Sequence, residues 1–383
     1  MRVCGIIAEY DPFHKGHLYQ MDAARAAAQA DFVVCVLSTA FLQRGVPSLF
    51  STHERARMAL ENGADAVFSL PIAFSPMEAE RFAYGGVSIL NALGTVTHLS
   101  FGCETDDLTA LSKAAACLQD EPPEYQALLK ENLSSGLSHA DAQGRALAAF
   151  TRLSADLFKS PNNVLAICYL RALKALNSDI TPVPIKRLGD YHGQTSEGFP
   201  SASVLRERFL KGGLSAIEHD IPKATRDIIE TAALCPPDAL DQAMLYRLSE
   251  MNADDLRAIS AVSEGLENRF LHSRNEAVSR EGLLSAVKTK RYPYARLSRV
   301  LTHALLHLNK ADLPQSPAYT RLLGFRKTAL PFLHECAKKS AIPLISKPAD
   351  YSGLLKADAY AERVWALGAN VPYTFYKDSP III

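Results

Sequence analysis

The stretch Ile6-Ile7-Ala8-Glu9-Tyr10-Asp11-Pro12-Phe13-His14-Lys15-Gly16-His17-Leu18-Tyr19-Gln20 decides the fold. Together with Val3-Cys4-Gly5 it begins as an apolar run over 3–8, turns at a proline, and enters a helix near Gly16 or His17. A buried strand that hands over to a helix within a few residues is how a parallel α/β sheet starts. The pattern then recurs. Apolar runs at 32–37, 66–70 and 96–101 are separated by helix-like segments near 17–30, 52–62 and 78–93. These predict an α/β fold, a doubly wound parallel sheet of Rossmann-like type. Ligands bind such sheets beyond the carboxyl ends of the strands, which here means after Ala8, Leu37, Leu70 and Phe101.

Further along, residues 106–177 read as a helical insertion, interrupted by Glu121-Pro122-Pro123 and by Lys159-Ser160-Pro161-Asn162-Asn163. A last strand is expected over 183–187. A helix opens at Ser201 or Ser203 and runs through Leu210, and Lys211-Gly212-Gly213 then marks a loop. The chain therefore divides into a nucleotide-binding domain over 1–213 and a second, largely helical domain over 214–383. The run Pro380-Ile381-Ile382-Ile383 is unusually apolar, and the sequence alone offers no reason for it.

Composition narrows the class. With 383 residues, 48% apolar and 21% charged, the chain can bury the core of two ordinary domains. No apolar run approaches a membrane span and the first residues do not resemble a signal peptide, so a cytoplasmic location is expected, with no membrane and no protein partner inferable. The seven cysteines are scattered and never form a C-x-x-C pair, which predicts reduced core thiols and no metal site on the protein. Lys and Arg balance Asp and Glu at 41 each, yet the stretch from Arg269 to Lys327 holds twelve basic side chains against three acidic ones.

The chemistry concentrates at the first strand-to-helix turn. Unpaired N–H groups and a partial positive charge at a helix N-terminus attract phosphate. Gly16 leaves room for close approach, and Lys15 adds a charge. His14 and His17, three residues apart, can both donate to oxygens on which charge builds during displacement at an α-phosphorus. They are the candidate catalytic pair; loop-closing histidines are the plainer alternative. Gly102 follows the fourth strand, where a glycine either ends a strand or admits a nucleotide. One of Asn162 and Asn163 can cap the helix after Pro161. Lys186 and Arg187 end the last strand and can screen phosphate charge. Ser203 and Arg206 lie on one helix face, which suits either phosphate or solvent.

This ordered set resembles the HIGH-type nucleotidyltransferases, and among them the bacterial tRNA(Met) cytidine acetate ligases. The resemblance also covers Gln43-Arg44-Gly45 with Pro47, Arg57-Met58-Ala59-Leu60, Gly63-Ala64-Asp65, Leu70-Pro71, Ser100-Phe101-Gly102 with Glu104, Ile185-Lys186-Arg187 with Tyr191-His192, and Thr289-Lys290-Arg291-Tyr292. It implies a nucleotide site made by Ile7 through Gln20 together with Gly102, Asn162, Arg187, Ser203 and Arg206. It further implies ATP as co-substrate, with Mg2+ carried on the phosphates. Acetate would be activated as acetyl-adenylate and passed to the wobble cytidine of elongator tRNA(Met). The chain departs from the family pattern at Asp11 and Lys15, where asparagine is usual, and at Thr39-Ala40, where Gly-Asn is usual. Asp11 would bring negative charge beside ATP, offset by Lys15 or by magnesium.

The stretch Lys288-Thr289-Lys290-Arg291-Tyr292-Pro293-Tyr294-Ala295-Arg296, continuing to Arg299, interleaves cations with aromatic rings. Cations meet the RNA backbone and tyrosines stack on unpaired bases, so Lys288, Lys290, Arg291, Tyr292, Arg296 and Arg299 are the candidate RNA contacts. Two other readings compete: a small-molecule adenylyltransferase, which would not need a basic second domain, and a non-catalytic RNA-binding protein on the same scaffold, which would not need His14, Gly16 and His17.

Overall fold

The computed structural model describes residues 1–188, 198–263 and 265–383. Its strands are β1 (Val3–Ala8), β2 (Phe32–Ser38), β3 (Phe41–Leu42), β4 (Val46–Pro47), β5 (Ala66–Leu70), β6 (His98–Cys103), β7 (Thr181–Lys186), β8 (Thr320–Phe325), β9 (Leu344–Ile345) and β10 (Ile381–Ile382). Between β1 and β7 lie helices α1 (Lys15–Ala28), α2 (Thr52–Glu61), α3 (Ala79–Ala92), α4 (Leu108–Asp120), α5 (Pro123–Ser134), α6 (His139–Thr151) and α7 (Pro161–Ala175). Then follow α8 (Ala202–Gly212), α9 (Lys223–Ile229), α10 (Asp241–Glu250), α11 (Ala253–Ala258), α12 (Leu266–Ser273), α13 (Arg280–Val287), α14 (Tyr294–Leu306), α15 (Leu330–Lys339) and α16 (Lys356–Gly368).

The main sheet runs β10-β8-β5-β2-β1-β6-β7, with β5, β2, β1, β6 and β7 parallel. Alternation along β2 shows why both faces are covered: Val34 and Val36 enter one core with α3, α4 and α7, while Val33, Cys35 and Leu37 enter another with α1 and α2. From β1 the chain winds outward to β2 and β5, then returns to lay β6 on the other side of β1. The topological switch point therefore lies between β1 and β6, and a crevice opens there beyond their carboxyl ends. β7 tolerates Pro182 and Pro184 because it is the sheet's edge.

Three expectations need correction. The last parallel strand is 181–186 rather than 183–187, and the fourth apolar run pairs as 98–103 rather than 96–101 because Thr97 donates its N–H to the carbonyl of Val3 just before the ladder begins. More consequentially, the sheet is not built from residues 1–213 alone. β8 pairs antiparallel with β5 and covers an edge that would otherwise be open, and β10 pairs with β8. This accounts for the apolar run 380–383: Ile381 lies against Gly324, where a side chain would collide with it. The helices α10–α14 and α16 form their own core around Leu248, Leu256, Leu284, Leu297 and Leu301, but that core also takes in Phe41, Ile72 and Met77 from the sheet half. All seven cysteines are free and buried. Among the described residues no helix is long and apolar enough to cross a membrane.

Candidate active site in the crevice between β1 and β6

A cleft of about 250 Å³ sits at the switch point. The end of β1 supplies Ile7, Ala8, Glu9 and Tyr10, α1 supplies His14, His17 and Gln20, and β6 supplies Phe101 and Gly102. The N-terminal turn of α7 adds Asn162, Arg187 follows β7, and the start of α8 adds Ser201, Ala202, Ser203 and Arg206. A smaller recess shares His14, His17, Gln20, Gly102 and Arg187 and adds Gly16, Tyr19, Lys186 and Phe199. Most of the sequence-predicted nucleotide residues thus come together from five separate segments. Pro12 and Phe13 are buried beneath the turn, Leu18 is half-buried, and none of the three lines either cavity. Tyr191 and His192 lie outside the described residues.

The two histidines are arranged by the backbone. His14 is the N-cap of α1, and its Nδ1 accepts the N–H of Gly16 at 3.0 Å. His17 Nδ1 accepts the N–H of His14 at 3.3 Å, so the pair closes a reciprocal capping box. An Nδ1 that accepts leaves the proton on Nε2, so each neutral ring offers one Nε2–H donor. The rings stack 3.7 Å apart between centroids. Burial, followed by the nearby Arg187 and Arg206 guanidiniums, pushes His14 down to about 3; burial, then His14 and the same arginines, holds His17 well below the usual imidazole range. Both rings are therefore neutral donors at physiological pH.

This revises the basis of phosphate attraction at α1. Gly16 N–H is taken by His14 and Lys15 N–H by the carbonyl of Asp220, so the donors offered there are imidazoles rather than backbone. Gly16 is glycine because a Cβ would stand 2.8 Å from the His14 ring. Helix α8 is different: Ser201 makes no side-chain cap to its first turn, and Ser201 and Ser203 hydroxyls pair with each other at 3.0 Å on the cleft wall. A Cβ at Gly102 would meet only ordinary contacts with Arg187 and Gln20, so that glycine serves the open space of the cleft rather than the packing.

Asp11 does not charge the pocket. It is fully buried, accepts the N–H groups of Leu49 and Phe50 at 2.9 and 3.0 Å, and lies 3.7 Å from Arg206. Lys15 is exposed and lines neither cavity, so the expected compensation between Asp11 and Lys15 is replaced by backbone donors and Arg206. Thr39 and Ala40 are buried away from the cleft wall. Neither asparagine caps α7, whose N-cap is Ser160: Asn163 Oδ1 accepts from the backbone of Glu104 and Thr105, while Asn162 lines the cleft with its amide held by Glu104 Oε1 at 2.6 Å.

Several wall residues have no site role assigned from the sequence. Gln43 and Arg44, quoted there only as part of the resemblance, reach the cleft with Leu42 and Val46 from the β3–β4 hairpin, and Phe82, Leu165 and Tyr169 come from α3 and α7. Arg55, wholly buried on α2, bonds the carbonyls of Glu9, Ser38, Thr39 and Phe50 and so fixes the ends of β1 and β2. Nothing local marks one arginine on an amphipathic helix as that hub. Gln43-Arg44-Gly45 is visible as a motif, but its place on the wall depends on the docking of Gly45, whose Cβ would fall 2.6 Å from the Arg299 backbone.

Most cations of the basic stretch are bonded to their own chain, though half of the twelve are exposed. Arg269, Arg274 and Arg326 cap the carbonyl ends of α13, α10 and α2. Arg280 is buried against Ser298 and Tyr294, and Arg299 bonds the Gln43 carbonyl at 3.4 Å. Arg296 bonds the Ala261 carbonyl at 3.0 Å and lies over the ring of Tyr292, itself only 5% exposed. Of the six candidate RNA contacts, Lys288, Lys290 and Arg291 are exposed; Tyr292 is not available to stack on a base in this conformation. The reason is that an arginine also satisfies helix-end carbonyls, a use that a charge count along the chain cannot see.

A mostly parallel sheet with paired imidazoles at its switch point defines a nucleotidyltransferase. A family model described as HIGH Nucleotidyl Transferase matches residues 1–378. The chain is 37% identical over 393 residues to the tRNA(Met) cytidine acetate ligase of Thermoanaerobacter sp. (strain X514), covering 100% of this chain and 97% of that one, and 36% identical to the ligase of Acetivibrio thermocellus, covering 92% and 89%. The crystal structure of Thermotoga maritima TmcAL bound with alpha-thio ATP superposes with a TM-score of 0.92 at 27% identity, covering 100% and 99%. The chain belongs to the tRNA(Met) cytidine acetate ligase family within the HIGH nucleotidyl transferases.

Proposed function

We propose that this chain is an ATP-dependent ligase that converts acetate to acetyl-adenylate and transfers the acetyl group to N4 of the wobble cytidine in elongator tRNA(Met). The observation that carries this reading is the pair of neutral Nε2–H donors at the head of α1, beside Arg187 and Arg206, in a chain collinear with such ligases over its whole length. The acetate oxygen attacks the α-phosphorus in line and pyrophosphate leaves. His14 and His17 donate to oxygens that gain charge, while Arg187, Arg206 and Ser203 hold the phosphates. Gly102 and Asn162 give the nucleotide room and an amide. Magnesium arrives on the triphosphate, since Glu9 is the only acid on the cleft wall among the described residues. Residues 1–213 supply the adenylation site, and the helical part of 214–383 presents RNA through Lys288, Lys290 and Arg291. The cytoplasm, where tRNA is found, is the proposed location.

The test incubates the protein with ATP, labelled acetate and total bacterial tRNA and identifies the labelled nucleoside after digestion. Label in cytidine supports the ligase. AMP transfer to a small acceptor without acetate, and no label in RNA, would move the chain to the small-molecule adenylyltransferases.

A further inference from the structure

Acyl transfer to an aromatic amine poses a proton problem that adenylation does not. As N4 attacks the acetyl carbonyl, a C–N bond forms and the bond from carbonyl carbon to phosphate oxygen breaks. AMP departs with that electron pair, and nitrogen must lose a proton to become an amide. Some group near the carbonyl has to receive the proton.

The cleft wall offers few acceptors. The nitrogens of His14 and His17 that face the backbone already accept N–H groups, so the remaining nitrogens carry protons and donate. Arg187 and Arg206 have no acceptor atom. The phenols of Tyr10 and Tyr169 are pushed well up by burial and stay protonated. One carboxylate remains among the described wall residues, Glu9, the residue immediately after β1. Its Oε1 accepts the N–H of Gln43 at 2.7 Å, and its Oε2 takes no hydrogen bond from the described residues.

We propose that Glu9 is the general base of the transfer step, receiving the N4 proton of cytidine as the amide forms. This rests on the ligase reading. Placement supports it. Gln43 belongs to the β3–β4 hairpin, and that hairpin is seated on α14: Thr302 Oγ1 donates to the Gly45 carbonyl at 2.8 Å and Arg299 to the Gln43 carbonyl at 3.4 Å. The carboxylate thus stands on the side of the cleft against which the helical half packs, where RNA carried by that half would enter. Gly102, Gln20 and Arg187 wall the other side, which continues into the smaller recess. On this reading the acceptor enters from the hairpin side, where Glu9 stands, and the nucleotide extends toward the recess. Burial raises the Glu9 carboxyl above the usual range, with the Gln43 N–H and the Arg206 and Arg55 charges acting the other way. A carboxylate of raised proton affinity is a better base at neutral pH.

A purely structural role, pinning the hairpin, is separated from the catalytic one by Glu9→Gln. The amide carbonyl still accepts the Gln43 N–H but has no basicity. Two half-reactions are read on the full chain: acetate-dependent exchange of pyrophosphate into ATP, and single-turnover transfer from preformed acetyl-adenylate to tRNA. The expected result is a split between the two half-reactions, with transfer slowed about 10²- to 10⁴-fold more than exchange, and loss of the alkaline-rising limb of the transfer pH profile. Glu9→Asp keeps a displaced carboxylate and should recover part of the rate together with the limb. Transfer by Glu9→Gln at the wild-type rate, with the wild-type pH profile, overturns the proposal. An equal loss in both half-reactions overturns it too, placing Glu9 with the nucleotide. A wild-type protein that exchanges pyrophosphate but acetylates no RNA defeats the ligase reading itself.

Discussion

The crevice beside β1 and the stretch from Arg269 to Lys327 use their polar residues in opposite ways. In the crevice, polar side chains brought from distant segments converge on open space, and the backbone sets their protonation: two N–H groups decide that His14 and His17 are donors. In the basic stretch most charges converge on their own chain. Arg274 closes α10, Arg326 closes α2, and Arg280 is sealed between α13 and α14. A motif at a strand-to-helix turn therefore carries positional information that a local charge excess lacks. Substitutions in the first region should change chemistry, those at the buried arginines should change stability, and only the few exposed cations should change RNA binding.

In the first half-reaction the largest effect should come from the histidines. Replacing either His14 or His17 with Ala removes one preorganised donor and should slow acetate-dependent pyrophosphate exchange by about 10²- to 10³-fold. Because both rings close the α1 cap, each variant should also lose about 1 kcal/mol of stability, read as a lower Tm. Affinity for tRNA, measured by filter binding, should be unchanged. A variant that binds RNA poorly while exchanging normally would invert the assignment of the two regions.

Arg280→Met tests the inward-facing class. It removes a buried guanidinium that bonds Ser298 and Tyr294, and it should cost about 2–3 kcal/mol in denaturant unfolding. The folded fraction should bind tRNA as wild type does. Weakened binding at unchanged stability would instead place Arg280 among the RNA contacts.

Buried neutral histidines link the two regions through pH. His14 is held at about 3 and His303, whose Nε2 meets the Pro76 carbonyl at 2.7 Å, at about 4; burial is the leading cause for both. In the unfolded chain each takes a proton near the ordinary value of about 6.5. Below that pH the unfolded state binds more protons, so stability is full above about 6.5 and falls as pH drops toward the folded values. By pH 5 the loss should be about 2 kcal/mol for each such group. His303→Gln should show a shallower fall in Tm between pH 7 and pH 5 than wild type, and a slope that does not change would mean that His303 already titrates normally in the fold.

What the sequence reveals follows the range of the forces involved. The strands 3–8 and 66–70 are legible to the residue, because apolar runs between turn residues are local signals. The histidine pair and Gly16 are legible because strand, turn and helix start within a few residues. β8 is not: its six residues enter the sheet antiparallel to a strand some 250 positions earlier, and only the open edge of β5 explains why. The roles of Arg55 and Glu104 are hidden for a similar reason, since their partners are the ends of β1 and β2 and the first turn of α7. Asp11 reads in sequence as a charge beside ATP because its true partners, the N–H groups of Leu49 and Phe50, lie 38 and 39 residues away.

The smallest expected effect is the most direct test of the charge reading. Lys288 and Lys290 are exposed beside the turn into α14 and, on the proposed RNA face, each meets one phosphate. Replacing both with Gln should leave Tm and pyrophosphate exchange unaltered, because neither side chain lines the cleft. Each lost phosphate contact releases fewer counterions, so the slope of log affinity against log salt should become shallower by about 2 for the pair, with the weakening greatest at low salt. A double variant with the wild-type slope would mean that RNA approaches another face. The hairpin seated on α14 would then have to be reconsidered as the side from which the acceptor enters, and with it the placement of Glu9.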